Sequence, residues 1–445
     1  MKKSLLIIFL ALFSLSALAD IAPDFTLRTR APKPFFEKIS SLYRRIHPDP
    51  KLEMQAAFAL LPFGYPDFGG ISKRENAVVC GFETATESPV YVLGFKSDGN
   101  SRIEKTLAMR NVKPVKKGGY TFFSLPSDAD ARYIDATFAE FSKVGHSLAE
   151  IDASPEAFNR LSKGAFEKYA NDIESANVKI DADARTIKFC TTVMLKKGSP
   201  LCNAANKVRR IKEAEEAEFL PSDAEIFAIT KAHVPDEIFD TQAAKSVLPQ
   251  RLAERIDSLR SKNAGTYAAA VYLGSTPKTV GIGATKMTEH ELLAVAKSEP
   301  EVSVMGLSAK NRAEKIGDTP CLATVCPNGS TVYSAVVNGF SVSADDKNLF
   351  AEAVAKIKSP RSQTYPLKKY ARDDSDFVAI LNNNALVKSL LERIGASMDG
   401  KTAFENTVVS ADVAMGKIEI SASIDIDSLN LYCDFLRLSK NGRAQ

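Results

Sequence analysis

Strict alternation of apolar and polar residues predicts two long strands, each with one buried face. In one, apolar positions recur from Ile187 to Leu195, and in the other isoleucines recur from Ile418 to Ile426. A slip of one residue would exchange whole faces, so the register is a firm expectation. The set expected to be buried is Ile187, Phe189, Val193, Leu195, Ile418, Ile420, Ile424 and Ile426, and the set expected to be exposed is Lys188, Lys196, Glu419 and Asp427.

These two strands belong to segments that match each other. Residues 174–202 align without a gap on residues 405–433. A shorter apolar run precedes each long strand, so both segments are predicted to form antiparallel hairpins. The identical pairs are Glu174/Glu405, Val178/Val409, Asp181/Asp412, Ile187/Ile418 and Cys202/Cys433.

A second match joins 24–34 to 225–235 and shares Thr29/Thr230, Ala31/Ala232 and Pro34/Pro235. Both stretches predict a strand followed by a proline near the start of a helix. After Pro34, the apolar residues of 35–46 fall on one helical face. The two matches together predict that the chain contains two copies of one unit.

Between these ends both halves offer the same series of elements. Hairpins are predicted over 77–95 and 266–284, strands meet at Gly118-Gly119, and the Asn-Gly pairs at 328–329 and 338–339 predict a meander over 319–343. The predicted helices are 102–109, 129–141 capped by Ser127, one starting at Ser154-Pro155-Glu156, 203–219, 289–297, 345–357 capped by Ser343, and one near Asn384.

Strands that run in hairpins rather than alternating singly with helices favour antiparallel sheets. The predicted fold is therefore α+β, as two tandem pseudo-repeats, each an antiparallel sheet of hairpins with helices packed on one face. The predicted boundaries are 1–19 for a signal peptide, 20–218 for the first unit and 219–445 for the second.

Composition supports an ordinary globular protein of two domains. The chain has 445 residues, of which 45% are hydrophobic and 25% charged. These values are close to globular averages and exclude a disordered or collagen-like chain. The formal net charge of +4 is too small to indicate a nucleic-acid partner.

The first 19 residues have the features of an export signal. Lys2 and Lys3 precede an apolar run from Leu5 to Phe13, and Ala17-Leu18-Ala19 is a small-residue cleavage site. The apolar run is shorter than a membrane span, and no later stretch approaches that length. We expect a periplasmic or secreted protein without a transmembrane segment after cleavage.

Six cysteines would meet an oxidising compartment after export, where three disulfides could form. Cys202 and Cys433 are expected where a long strand gives way to a helix in each unit, whereas Cys190 corresponds to Ser421. A bond between Cys190 and Cys202 would thus exist in one unit alone. We expect the cysteines to pack chiefly as small apolar groups, without disulfides as the source of stability.

Searches for known chemistry along the chain give weak matches. The four histidines are far apart and lack the spacing of metal ligands. Ser275-Thr276-Pro277-Lys278 matches S-x-x-K, a motif in which the lysine can accept the proton of a nucleophilic serine. It lies between two predicted strands and contains a proline, which favours a turn. The glycines of 281–286 lie within a predicted strand and lack the spacing of a phosphate loop. A zinc site at Cys321 and Cys326 is disfavoured by their spacing.

Acidic clusters at 373–376 and 425–427 could supply oxygen ligands for calcium, but both lack the glycine and the distal glutamate of a calcium loop. The favoured interpretations are a polar loop or a helix cap for the first cluster and the solvent face of a strand for the second. The charged stretch 203–219 favours a solvated linker helix.

The sequence therefore assigns no catalytic, cofactor-binding or metal-binding residue and no cofactor. We expect an exported non-catalytic protein with a binding or cell-envelope interaction role. Its partner is unknown, and an envelope protein or a small apolar ligand would fit, with no nucleic acid. The alternatives are a hydrolase whose site assembles only in three dimensions and a carrier of an apolar ligand.

Overall fold

The computed structural model describes most of residues 22–35, 71–125, 131–233, 266–359, 367–393 and 404–428, with short gaps inside these ranges. The predicted signal peptide and most of the helix predicted over 35–46 lie outside the described residues. The chain divides into two compact units, one of Met1–Cys202 with Leu429–Gln445 and one of Asn203–Ser428. The predicted boundary between residues 218 and 219 stays a prediction.

The first unit contains one antiparallel sheet whose spatial order is β4-β5-β3-β2-β1-β6-β7-β8. Its first strand therefore lies in the middle, between the second and the sixth. The strands are β1 (Phe25–Thr29), β2 (Ala77–Phe82), β3 (Val90–Phe95), β4 (Val115–Lys117), β5 (Tyr120–Leu125), β6 (Ala149–Ala153), β7 (Ile173–Ala182) and β8 (Thr186–Leu195).

Helices lie on both faces of this sheet, rather than on the one face that we expected. Lys116 of β4 pairs with Glu104 of α1 (Arg102–Ala108), and the next residue, Lys117, pairs with Asp135 of α2 (Ala131–Glu140). Consecutive strand residues point to opposite faces, which places the two helices on opposite sides. All five residues of β1 are accordingly buried. Two short helices follow, α3 (Pro155–Leu161) and α4 (Pro200–Ala205).

The second unit contains a larger antiparallel sheet in the order β14-β15-β16-β17-β18-β13-β12-β10-β19-β20-β21. A separate two-stranded ribbon joins β9 (Arg209–Arg210) to β11 (Ala232–His233). The main strands are β10 (Ile226–Thr230), β12 (Tyr267–Tyr272), β13 (Lys278–Ala284), β14 (Glu301–Val304), β15 (Leu307–Ile316), β16 (Thr319–Val325), β17 (Thr331–Val337), β18 (Phe340–Ala344), β19 (Phe377–Leu381), β20 (Thr407–Ala414) and β21 (Lys417–Asp425).

One face of this sheet carries the main core of the second unit. Helix α6 (Lys347–Lys358) buries Phe350 and Val354 against Tyr333, Val337 and other residues of the central strands. Leu322 and Val336 point to the opposite face and are also buried. Helix α5 (Glu289–Ser298) packs against β15, β16 and β17, and α7 (Asn383–Arg393) follows β19. This unit, too, buries residues on both faces.

The predicted hairpins over 77–95 and 266–284 and the meander over 319–343 are present. Both Asn-Gly pairs turn the chain, and Asn338 has φ 49°, the left-handed conformation that such a turn requires. The helix predicted from Ser154-Pro155-Glu156 begins at Pro155, where the Ser154 hydroxyl accepts a hydrogen bond from the Ala157 amide. These predictions are confirmed.

The helix predicted over 203–219 is wrong. The chain there forms α4, the two residues of β9 and a 3₁₀ segment, Glu215–Phe219. A solvated helix requires its charges to face water, whereas Glu216 is 2% exposed. The chain instead forms the short 3₁₀ segment, which places the Glu216 side chain in the core.

The N-cap predicted at Ser343 is wrong as well. Ser343 lies within β18, where its hydroxyl is 2.9 Å from that of Ser334. The true cap of α6 is Asp346, whose carboxylate accepts from the backbone amides of Asn348 and Leu349. Ser127 lies outside the described residues.

The predicted register of the first long strand is largely confirmed. Ile187, Val193 and Leu195 are buried, Lys188 is exposed and Phe189 is half-buried. In β21, by contrast, both the isoleucines and Glu419 are half-buried, so the expected difference between its faces is absent up to Ile424. The alternation of apolar and polar residues therefore does not identify a core face of β21.

Candidate functional site

A buried arginine at the centre of the first unit organises the most polar cluster of its core. Arg28 lies on β1, and its side chain is 6% exposed. Its Nη1 donates to Glu140 Oε2 at 3.2 Å, and its guanidinium also pairs with the Asp152 carboxylate. A buried guanidinium requires such partners because an isolated charge is very costly to bury.

The cluster extends from this arginine to solvent. Asn177 on β7 donates to Asp152 Oδ1 at 2.7 Å, and Lys143 pairs with Glu140 at 2.7 Å. The Asp152 side chain is 43% exposed, and that of Lys143 is 61% exposed. Two carboxylates thus balance one buried and one exposed cation. Arg28 Nε is buried with no hydrogen-bond partner among the described residues.

A thiol adjoins the cluster on the same face of the sheet. Cys80 on β2 is fully buried and lies 3.7 Å from the Thr26 hydroxyl. Burial raises the pKa of the Cys80 thiol to about 12, and hydrogen bonds with Thr137 and Thr26 offset only part of that effect. The thiolate is the nucleophilic form, so the raised pKa and the full burial of Cys80 both disfavour its reaction near neutral pH.

The second unit buries a carboxyl group of a different kind. Glu216 Oε1 accepts hydrogen bonds from the Thr266 hydroxyl and, at 3.1 Å, from the Ala284 amide. Burial raises the pKa of the Glu216 carboxyl, and these two donors offset part of the effect. Raised carboxyl pKa values occur at functional sites, which makes this group a candidate for proton-dependent behaviour.

The described histidines, Lys278 and Gly281, all weighed in the sequence, make none of the hydrogen bonds or ion pairs given above for these clusters, and His47 lies outside the described residues. His146 follows a 3₁₀ turn, His233 lies in β11, and His290 is on the exposed side of α5. Lys278, the lysine of the S-x-x-K stretch, begins β13, and its ammonium pairs with Asp346 at 2.7 Å. Ser275 lies outside the described residues. Gly281 adjoins the Tyr267 hydroxyl, where a larger residue would clash, in agreement with a packing role.

In the first acidic cluster, 373–376, Asp373 and Asp374 lie outside the described residues. Asp376 is buried and accepts from the Val413 amide at 2.8 Å. Asp425 is 4% exposed, so its predicted place on the solvent face is wrong. Its carboxylate accepts from the backbone amide of Asp427. Within the described ranges, no group of three His, Cys, Asp or Glu residues is placed to hold a metal ion.

Cys80 and Cys321 are fully buried and Cys202 nearly so, whereas Cys190 and Cys326 are half-buried. Cys202 lies in α4, just after β8, as expected. Cys433 lies outside the described residues, and the minor role of disulfides stays a prediction.

No sequence pattern singled out Arg28 or Glu216. Arg28 stands between Leu27 and Thr29, close to the equally charged Arg30, and the alternation of β1 does not distinguish a buried arginine from an exposed one. Glu216 is one of four glutamates within six residues. The available signal was a mismatch between the aligned segments 24–34 and 225–235, because Arg28 aligns with Ile229.

Comparison with known proteins adds little. No protein-family model matches the chain. No curated protein matches it. Two solved structures, crystal forms IV and I of TP0453, align with 52% and 51% of this chain and with 98% of their own chains. Their identities are 10% and 8%, and their TM-scores are 0.25 and 0.24.

A membrane-spanning helix needs about 20 mostly apolar residues. None of the described helices combines that length with that apolar character.

Proposed function

We propose that the two units are copies of one α+β unit. Eight strands of each sheet have the same spatial order when they are numbered along the chain. The order β4-β5-β3-β2-β1-β6-β7-β8 corresponds to β17-β18-β13-β12-β10-β19-β20-β21. The strands β14, β15 and β16 are then an addition at one edge of the second copy. An experimental structure in which the two halves have different strand orders would overturn this proposal.

Strand pairing supports the same alignment as the sequence. Ile180 pairs with Phe189 in the first unit, and Ala411 pairs with Ile420 in the second. Both partners are displaced by 231 residues, the offset that aligns 174–202 with 405–433. Register is independent of residue identity, so this agreement adds to the five identities.

The corner before the first strand adds a detailed match. In the first unit, Asp24 Oδ2 accepts from the Glu83 amide at 2.7 Å, and the Asp24 carbonyl accepts from the Ser154 amide at 2.8 Å. Ser154 also caps α3. One acidic residue thus ties the end of β2 to the start of a helix.

In the second unit Glu225 makes the same connections. Its Oε2 accepts from the Leu273 amide at 3.1 Å, and its carbonyl accepts from the Asn382 amide at 2.8 Å. Asn382 in turn caps α7 through the Ala385 amide. Asp24 and Glu225 are aligned in the sequence, and their equal roles favour descent from one ancestral unit.

For the function, we propose an exported, non-catalytic protein that binds a partner in the cell envelope. The observation that carries this is the state of the ionisable groups in the two cores. The Arg28 charge is neutralised by Glu140 and Asp152, the Cys80 thiol has a raised pKa, and Glu216 is held by Thr266 and Ala284. In this structure all of these groups are engaged in the protein interior, which suits a scaffold that presents a surface.

The first experiment tests catalysis on the full mature chain. We expect no labelling by fluorophosphonate or epoxide probes and no turnover of a panel of ester, peptide and glycoside substrates. Labelling of one residue, with turnover that is lost when that residue is replaced, would favour the hydrolase instead.

The second experiment tests export and binding. The full chain and a variant that starts at Asp20 are expressed and fractionated, and we expect only the full chain to be processed and to leave the cytoplasm. Cross-linking in intact cells, followed by reconstitution with the purified partner, then tests envelope binding. Co-purification of a stoichiometric lipid or other apolar molecule would favour the carrier.

A further inference from the structure

The 3₁₀ segment Glu215–Phe219, called here the acidic segment, is fastened to the sheet of the second unit through a buried carboxyl group. It packs against β12, β13 and α6. Glu216 Oε1 accepts two hydrogen bonds, one from the hydroxyl of Thr266, directly before β12, and one from the amide of Ala284, at the end of β13. Its Oε2 is buried and has no hydrogen-bond partner among the described residues.

The surroundings of this carboxyl group are apolar. Ala214, Ala217 and Leu220 are at most 1% exposed and belong to the main core, and the ring of Phe219 lies 5.1 Å from that of Phe340 on β18. An ionised carboxylate with one unsatisfied oxygen is poorly solvated in such a place. The neutral acid is the form that fits the docked segment.

The charged groups of the neighbouring elements do not change this preference. Lys356 on α6 pairs with Glu352 at 3.1 Å and donates to the Leu220 carbonyl at 3.0 Å. On β13, Lys278 pairs with Asp346. Glu215, on the segment itself, further disfavours ionisation of Glu216. Tyr267 and Tyr272 are the ionisable residues of β12, and β18 has none.

We infer that the acidic segment is a pH-sensitive clasp, docked on β12 and β13 while Glu216 is neutral and released when Glu216 loses its proton to solvent. In the released state the carboxylate is hydrated. The direction follows from linkage: a carboxyl group favoured as the neutral form in the docked state stabilises docking at low pH, and this contribution falls as the pH rises. One proton changes the docking equilibrium by at most about tenfold per pH unit.

The absence of tryptophan from the chain permits a direct test. Phe219→Trp in the full chain places the sole tryptophan at the end of the segment, next to Phe340. Its fluorescence emission is recorded between pH 4 and 9 in three backgrounds: no further change, Glu216→Gln, and Glu218→Gln. Glu218 is an exposed neighbour, so the last variant removes the same charge without altering the buried group.

We expect the emission to move to longer wavelength as the pH rises, with a midpoint above the ordinary glutamate value of about 4.3. Glu218→Gln should retain this transition, and Glu216→Gln should abolish it. Thr266→Val removes a hydrogen bond that only the docked segment makes, so it weakens docking and should move the midpoint to lower pH.

An equal transition in the Glu216→Gln background, or a constant emission in the background without further change, would overturn the inference. If circular dichroism shows that the Phe219→Trp variant does not fold, Phe340→Trp places the tryptophan on the other side of the same ring contact. The same two outcomes would then overturn the inference.

Discussion

Arg28 and Ile229 occupy the same position in the strand pairing of the two sheets. Arg28 is the fourth residue of β1 and lies opposite Val78 and Glu150, and Ile229 is the fourth residue of β10 and lies opposite Ala268 and Val378. One position thus carries a buried cation in the first unit and a fully buried isoleucine in the second. Under the proposed correspondence of the two units this position accepts either residue, and we therefore expect that the architecture does not require the charge of Arg28.

This relationship predicts how the charged cluster responds to substitution. Arg28→Met leaves the buried Glu140 without its main cation and should lower the free energy of unfolding by about 3 kcal/mol. The triple variant with Glu140→Leu and Asp152→Leu removes all three charges together and should lose less than the single variant. Urea unfolding of the full chain measures both.

Lys143→Met provides the control, because Lys143 is exposed and its ion pair with Glu140 should contribute about 0.5 kcal/mol or less. A triple variant as unstable as Arg28→Met would show that the first unit needs the charges themselves.

Adjacent residues of β8 should differ sharply in their tolerance of charge. Val193 is 3% exposed and Met194 is 40% exposed. Val193→Asp should cost several kcal/mol and reduce the soluble yield, whereas Met194→Asp should change stability by about 0.5 kcal/mol or less. Thermal unfolding of both variants tests the register. Equal losses would mean that the two faces of β8 are not distinguished by burial.

In the second unit the corresponding loss should be smaller. Ile424 aligns with Val193 but is half-buried. Ile424→Asp should therefore be less damaging than Val193→Asp, and the severe effect that sequence alternation alone predicts for Ile420→Asp should be moderate. The soluble yields of the three variants, expressed side by side, test this order. A larger loss for Ile424→Asp than for Val193→Asp would contradict it.

The Cys80 thiol should resist alkylation in the folded protein. Its pKa of about 12 leaves almost no thiolate at pH 8, and its side chain is fully buried. A pulse of iodoacetamide, followed by peptide mass spectrometry, should modify half-buried Cys326 first and Cys80 only after unfolding in urea. Modification of both at one rate in the native protein would contradict the burial of Cys80.

Asp183 should make stability depend on pH in the acid range. Its carboxylate accepts from the Thr186 hydroxyl at 2.6 Å and from the amides of Arg185 and Thr186, which lowers its pKa to about 2. A lowered pKa contributes stability above the unfolded value of about 3.9, and that contribution is lost as the pH falls toward 2.

Asp183→Asn should therefore reduce the melting temperature at pH 6 and have a smaller effect at pH 2.5. The exposed Asp427→Asn is the matched control. A difference between the Asp183 variant and the native chain that is independent of pH would assign the effect to the turn's shape rather than its charge.

Local signals predicted the hairpins well because their turns are encoded in a few residues, such as Asn338-Gly339. Burial that depends on a distant partner was not accessible in this way. Glu216 is buried because Thr266 and Ala284 meet it across the fold, and Asp346 displaces Ser343 as a cap because β18 extends through Ala344. The placement of helices on both faces of a sheet likewise depends on how the chain passes from one face to the other. The periodicity of apolar residues does not indicate this.

The central position of β1 and β10 has a consequence for the order of folding. Each precedes the other described strands of its sheet in the chain. One of its two neighbours in the sheet, β6 or β19, comes much later in the chain and is followed by only two more described strands of that sheet. Arg28 meets Asp152 across 124 residues, and Ala224 meets Asn382 across 158. Such high contact order slows folding, because the entropy of closing a long loop must be lost before the pairing forms. A growing chain therefore holds its earliest strand half-paired until most of the unit has left the ribosome.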